Sequence, residues 1–83
     1  MDDYRDQLKA MLREGFSLRQ PELLPDKEYT ARQIYERIWG EFEPWERRFA
    51  GGVFNRLVED GEIPMVCLGE SKRSGHSLVY RLK

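Results

Sequence analysis

TARQIYERIWGEFEPWERRFAGGVFNRLVEDGEIP, residues 30–64, decides how this chain folds. Thr30 and Gln33 stand at the spacing of a capping box, in which the hydroxyl accepts from the backbone of position 33 and the amide reaches back. Tyr29 and Ile34 occupy the hydrophobic-staple positions around that cap. Ala31, Ile34, Tyr35 and Ile38 then recur at helical spacing and form an apolar face. Gly40 is the expected end of this helix. EFEP makes the turn, and Pro44 suits the first position of a second helix, where its missing N–H costs nothing.

The second helix is expected to run from Pro44 to about Asp60, with Gly61 as its stop. Phe49, Val53 and Leu57, with Ala50, Phe54 and Val58 beside them, form a broad apolar face. Arg47, Arg48, Gly51, Gly52, Asn55, Arg56 and Glu59 occupy the other side. Two adjacent glycines weaken a helix by about 1 kcal/mol each relative to alanine. Such a cost asks for a reason. Close approach of a neighbouring helix is the first; close approach of a DNA backbone or a protein partner is the other.

Downstream, Pro64–Leu68 reads as a short strand and His76–Leu82 as a longer one, in which Leu78, Tyr80 and Leu82 alternate with Ser77, Val79 and Arg81. GESKRSG, residues 69–75, is the expected loop of an antiparallel hairpin. Upstream, Tyr4, Leu8, Met11 and Leu12 give Asp3–Glu14 one apolar stripe, with Gly15 as the expected stop. The segment 16–28 holds Pro21 and Pro25, yet Phe16, Leu18, Leu23 and Leu24 are too apolar for a free linker. A loop packed on the core is expected there.

The stretches YTARQIYERI, PWERRFAGGVFNRLVEDGEI and PMVCLGESKRSGHSLVYRL, spanning Tyr29 to Leu82, together resemble the winged helix-turn-helix superfamily. The resemblance covers about two-thirds of the chain and lies in architecture and pattern. It implies an α+β domain of three helices with a C-terminal two-stranded wing. The chain then divides into an N-terminal helix and packed loop, 1–28, and a helix-turn-helix with its wing, 29–83, within one domain. In that superfamily the exposed face of the second core helix enters the DNA major groove and the wing touches backbone or minor groove. Carried over by position, the helix contacts are Arg47, Arg48, Gly51, Asn55 and Arg56, and the wing contacts are Lys72, Arg73 and Ser74. The implied function is sequence-specific binding of double-stranded DNA by a small, dimeric transcriptional regulator.

Charge supports an alternative. Fifteen acids balance fourteen bases, so the chain has no gross pull toward nucleic acid. Glu46 and Glu59 flank the candidate face, and a carboxylate near phosphate is costly unless it reads cytosine. The other reading is a winged helix that serves as a protein-interaction module, an adaptor or inhibitor of a larger complex. Tyr4, Leu8, Met11 and Trp45 are the candidate dimer or partner surface. Trp39, Phe42 and Trp45 are expected to fill the corner between the helices, with an exposed partner patch as the other role for these rings.

Catalysis finds no support: no nucleophile elbow, phosphate loop or histidine–carboxylate arrangement stands in the sequence. One histidine and one cysteine supply too few ligands for a metal, and no cofactor is implied. Cys67, inside the apolar run PMVCL, reads as a small buried core residue and has no cysteine to pair with. No run approaches the length of a membrane span, and MDDYRDQ lacks signal-peptide character. The expectation is a cytoplasmic chain with no membrane contact.

Overall fold

A computed structural model of the chain describes residues 2–71 and 77–83. The described residues form an α+β structure. Helix α1 spans Asp2–Arg19, a 3-10 turn spans Gln20–Glu22, and β1 is the two-residue strand Tyr29–Thr30. Then come α2 (Ala31–Ile34), α3 (Glu36–Trp39), α4 (Pro44–Glu59), β2 (Met65–Ser71) and β3 (Ser77–Leu82). The strands form one antiparallel sheet in the order β1-β3-β2.

Local signals placed α4 and the start of α2 correctly. The Thr30 hydroxyl accepts from the Gln33 N–H at 3.2 Å, and the Gln33 amide oxygen accepts from the Thr30 N–H at 2.8 Å. Pro44 is the first residue of α4. At the far end Gly61 has φ +79°, a left-handed conformation that favours glycine. The Glu62 N–H donates to the Leu57 carbonyl at 2.9 Å and the Gly61 N–H to the Val58 carbonyl at 3.1 Å. This pair of bonds is a Schellman motif, and it satisfies carbonyls the helix end would otherwise orphan.

The core lies between α1, α4 and the sheet. Leu8, Leu12 and Phe16 of α1 meet Val53, Phe54 and Leu57 of α4, with Ile34, Tyr35, Met65 and Tyr80 closing it. Phe54 is central, edge-on to Tyr80 at 4.8 Å and to Tyr35 at 5.4 Å between ring centroids. Burial of this kind contributes roughly 1.5–3 kcal/mol for each large apolar side chain.

Several expectations are corrected. Helix α1 does not stop at Gly15 but continues to Arg19. Phe16 extends the Leu8–Leu12 row by one more turn, and Gly15 gives room to a ring. An alanine Cβ there would lie 3.2 Å from Tyr35 Cε1. The Tyr35 hydroxyl crosses α1 and donates to the Leu12 carbonyl at 2.8 Å. Burial pushes the Tyr35 hydroxyl pKa well above its ordinary value, so it stays a donor. The expected helix 31–39 is interrupted at this same Tyr35, whose φ −108° and ψ 31° separate α2 from α3. Of the segment 16–28, Phe16 and Leu23 are buried whereas Leu18 and Leu24 are exposed.

The sheet has three strands rather than two. The added strand follows from the cap: an N-cap residue must be extended, and Thr30, at φ −88° and ψ 163°, also pairs with Val79. Strand β2 runs on to Ser71, so Gly69, Glu70 and Ser71 belong to the ladder rather than to a seven-residue loop. A bulge at Leu68, between Cys67 and Gly69, accommodates this, with Gly69 at φ +92°. Cys67 is exposed, not a core residue. Strand β2 is an edge strand, paired with β3.

Leu8, expected as a partner-surface residue, is only 2% exposed and belongs to the chain's own core. Phe49 sits at the rim of the α4 apolar face and is half-exposed. Trp39 and Phe42 do meet at the interhelix corner, 5.7 Å apart, but Trp45 does not join them. It turns toward α1.

Candidate nucleic-acid interface

The exposed side of α4 is divided into two halves by what its side chains touch. In the C-terminal half, Asn55 is held at both ends of its amide. Its amide nitrogen donates to Glu59 Oε1 at 3.1 Å and its oxygen accepts from the Tyr80 hydroxyl at 2.9 Å. Burial, then the nearby Cys67 and Glu59, pushes the Tyr80 pKa up, which keeps that hydroxyl a donor. Asn55 therefore ties α4 to β3, and a bidentate contact to adenine would compete with both bonds. Arg56 is in ion-pair range of Asp60 at 3.4 Å.

The N-terminal half is open. Arg47 Nε donates to the Trp39 carbonyl at 3.1 Å, which holds the guanidinium against the end of α3. Arg48 is exposed, and no described acid pairs with it. One turn on, Gly51 and Gly52 leave the helix backbone bare. An added Cβ at either would meet no described atom within 4 Å beyond its own helix backbone and chain neighbours. The close helix–helix approach expected for this pair is absent among the described residues. It is Gly15 that packs closely, against the Tyr35 ring.

Two adjoining basins, of about 680 Å³ and 360 Å³, open along this half. Both are lined by Thr30, Arg32, Trp39, Arg47 and Ser77. The smaller adds Arg48, Gly51 and Gly52, and the larger adds Glu36. The groove so formed brings α2, α4 and the base of the hairpin to one place, with three arginines against one glutamate among the described residues. Residues 32 and 47, and residues 47 and 77, are far apart in sequence; only the fold joins them.

Arg32, Trp39 and Ser77 escaped the sequence reading. The α2 face pattern does put Arg32 outward, opposite Ile34. What it faces is decided by the crossing of α2 and α4, and no local signal carries that. The wing residues Lys72, Arg73 and Ser74 lie outside the described residues.

A second surface lies around the α1–α4 rim. Tyr4 stands 6.0 Å from Trp45 and 5.7 Å from Phe49, ring centroid to centroid. Trp45 is 61% exposed, Phe49 38% and Tyr4 36%. The Tyr4 hydroxyl donates to Glu46 Oε2 at 2.9 Å, and the Glu43 N–H donates to Glu46 Oε1 at 2.9 Å. Those bonds hold the Glu46 carboxyl below its ordinary pKa, the Glu43 amide first and the Tyr4 hydroxyl second. The Tyr4 pKa is raised, by burial and then by Glu46.

Among the described residues no group of three or more His, Cys, Asp or Glu is placed to hold a metal ion, and no helix is long and apolar enough to cross a membrane. No family model, curated protein or solved structure matches the chain.

Proposed function

We propose that the chain is a winged helix-turn-helix domain that binds double-stranded DNA, as a small transcriptional regulator does. The short helices α2 and α3, the turn 40–43, the sixteen-residue α4 and the antiparallel pair β2–β3 follow one another in the order this reading requires. One observation carries the function: Arg32, Arg47 and Arg48 converge with Ser77 of the hairpin on a single groove. The arginines sit where phosphate oxygens of a bound strand would accept charge-assisted hydrogen bonds. Arg48 has no described partner to give up, so its guanidinium fork is available for a guanine edge. Sequence reading falls to the open N-terminal half of α4, because Asn55 is committed to Tyr80 and Glu59.

Titration with random duplex DNA at low and at moderate salt tests this. Binding should fall steeply with salt, with a log–log slope of about −0.9 per phosphate contact. Arg48→Ala should weaken it. No duplex binding even at low salt would remove the DNA reading.

The rings of Tyr4, Trp45 and Phe49 favour a second reading, a protein-interaction module. Tryptophan, tyrosine and arginine dominate interface hot spots, and Trp45 and Arg48 lie one turn apart on α4. That reading takes the lead if duplex binding fails, and Trp45→Ala is then the first variant to compare for partner capture.

A further inference from the structure

The glycine pair of α4 has no internal use among the described residues. A mid-helix glycine costs stability, and an added methyl at 51 or 52 would meet no described atom beyond its own helix backbone and chain neighbours. The space beside them is the basin whose walls hold Arg32, Arg47, Arg48 and Ser77. Glycine is the residue that lets a ligand approach a backbone closely. Resting on the DNA reading above, we infer that Gly51 and Gly52 form the floor of a seat for the phosphodiester backbone of one DNA strand.

The glycines supply distance, not hydrogen bonds. Mid-helix N–H groups already donate to carbonyls four residues back, so the floor has no spare donors. Its bareness lets the strand sink toward the helix axis, between Arg32 on one wall and Arg47 and Arg48 on the other. Ion-pair energy falls with separation, so a methyl that lifts the strand weakens several contacts together. Arg47 is suited to a fixed wall because its Nε is already held by the Trp39 carbonyl.

Stability and binding should therefore move in opposite directions. The test uses the full chain, with Gly51→Ala, Gly52→Ala and the double variant, in urea melts and in anisotropy titrations of a random duplex at two salt concentrations. The double variant should melt at a urea concentration at or above wild type, yet bind the duplex at least tenfold more weakly and with a flatter salt dependence. Arg32→Ala should flatten the salt dependence in the same way. Wild-type affinity in the double variant, with duplex binding by wild type intact, overturns the seat while leaving the DNA reading standing. A lower urea midpoint would overturn it too, by assigning the glycines to internal packing. An affinity loss with an unchanged salt slope would show that the floor does not seat phosphate. Failure of the wild-type chain to bind any duplex removes the DNA reading and the seat together.

Discussion

Helices α1 and α4 each carry glycine well inside their length, and the two sites differ in what faces the missing side chain. At Gly15 the Tyr35 ring fills the space, 3.2 Å from where a Cβ would stand, and its hydroxyl reaches the Leu12 carbonyl. At Gly51 and Gly52 no described atom beyond the helix's own backbone and the chain neighbours would lie within 4 Å of a Cβ. The first glycine is explained inside the fold. The second pair is not explained by any described residue. Composition treats these glycines alike, so only their surroundings tell a glycine packed against a ring from one that faces no described atom.

The largest effect expected on either side of that comparison comes from the wall behind the open glycines. Phe54 is fully buried and meets both Tyr35 and Tyr80 edge-on. Phe54→Ala should cost about 3–5 kcal/mol, the transfer term plus the cavity left between rigid neighbours. Urea melts that barely shift would mean that α4 does not turn this face to the core, and the open face would then be misplaced as well.

Thr30→Ala should cost about 1 kcal/mol through the lost half of the capping box. It bears on the comparison because Thr30 both starts α2 and lines the groove that the glycines floor. An unchanged melting midpoint would mean that the cap contributes nothing to holding α2, and with it Arg32, at the groove.

The Thr30 cap was legible in the sequence, as were the Pro44 start and the Gly61 stop, because each is a local bargain between neighbouring residues. The inward faces of α1 and α4 were legible for the same reason, with Leu12, Phe54 and Leu57 at helical spacing. What escaped was set by partners distant in the chain. Gly15 looked like a stop because nothing near it in sequence announces Tyr35. Strand β1 is two residues long and exists only because Val79 and Tyr80 lie beside it. Cys67 looked buried because its neighbours are apolar, but among the described residues of strand β2 only Met65 is buried, and Val66, Cys67 and Leu68 are exposed. Of the candidate site, Arg47, Arg48 and Gly51 were named from their helix face and do share the groove. Arg56 and Asn55 share that face but are held by Asp60, Glu59 and Tyr80. Arg32 and Ser77 join the groove only through the fold.

The glycines themselves give a smaller effect whose sign is the point. Gly52→Ala should stabilise the chain by up to about 1 kcal/mol, the helix-propensity difference with no steric charge against it. Gly15→Ala gains the same propensity but presses a methyl on the Tyr35 ring, so it should stabilise less or destabilise. Equal midpoints for the two variants would erase the distinction between a filled and an open glycine.

The smallest effect belongs to the α1–α4 rim, where Glu46 joins the start of α4 to Tyr4. The folded state lowers the Glu46 pKa, so its contribution is present above the ordinary carboxyl value of 4.5 and is lost as pH falls through the lower folded value. The folded state raises the Tyr4 pKa, so the same contact is present below 10.0, the ordinary phenol value, and is lost as pH rises through the higher folded value. Between those limits the pair should give a small plateau, because Glu46 is solvent-screened. Glu46→Gln should lower the urea midpoint slightly at pH 7, and the difference from wild type should close in acid. Tyr4→Phe should remove the alkaline limb and shrink the acid limb, leaving the part that the Glu43 amide supports. A wild-type advantage over Glu46→Gln that persists unchanged at pH 3 would mean that the carboxylate's charge is not what joins α1 to the start of α4.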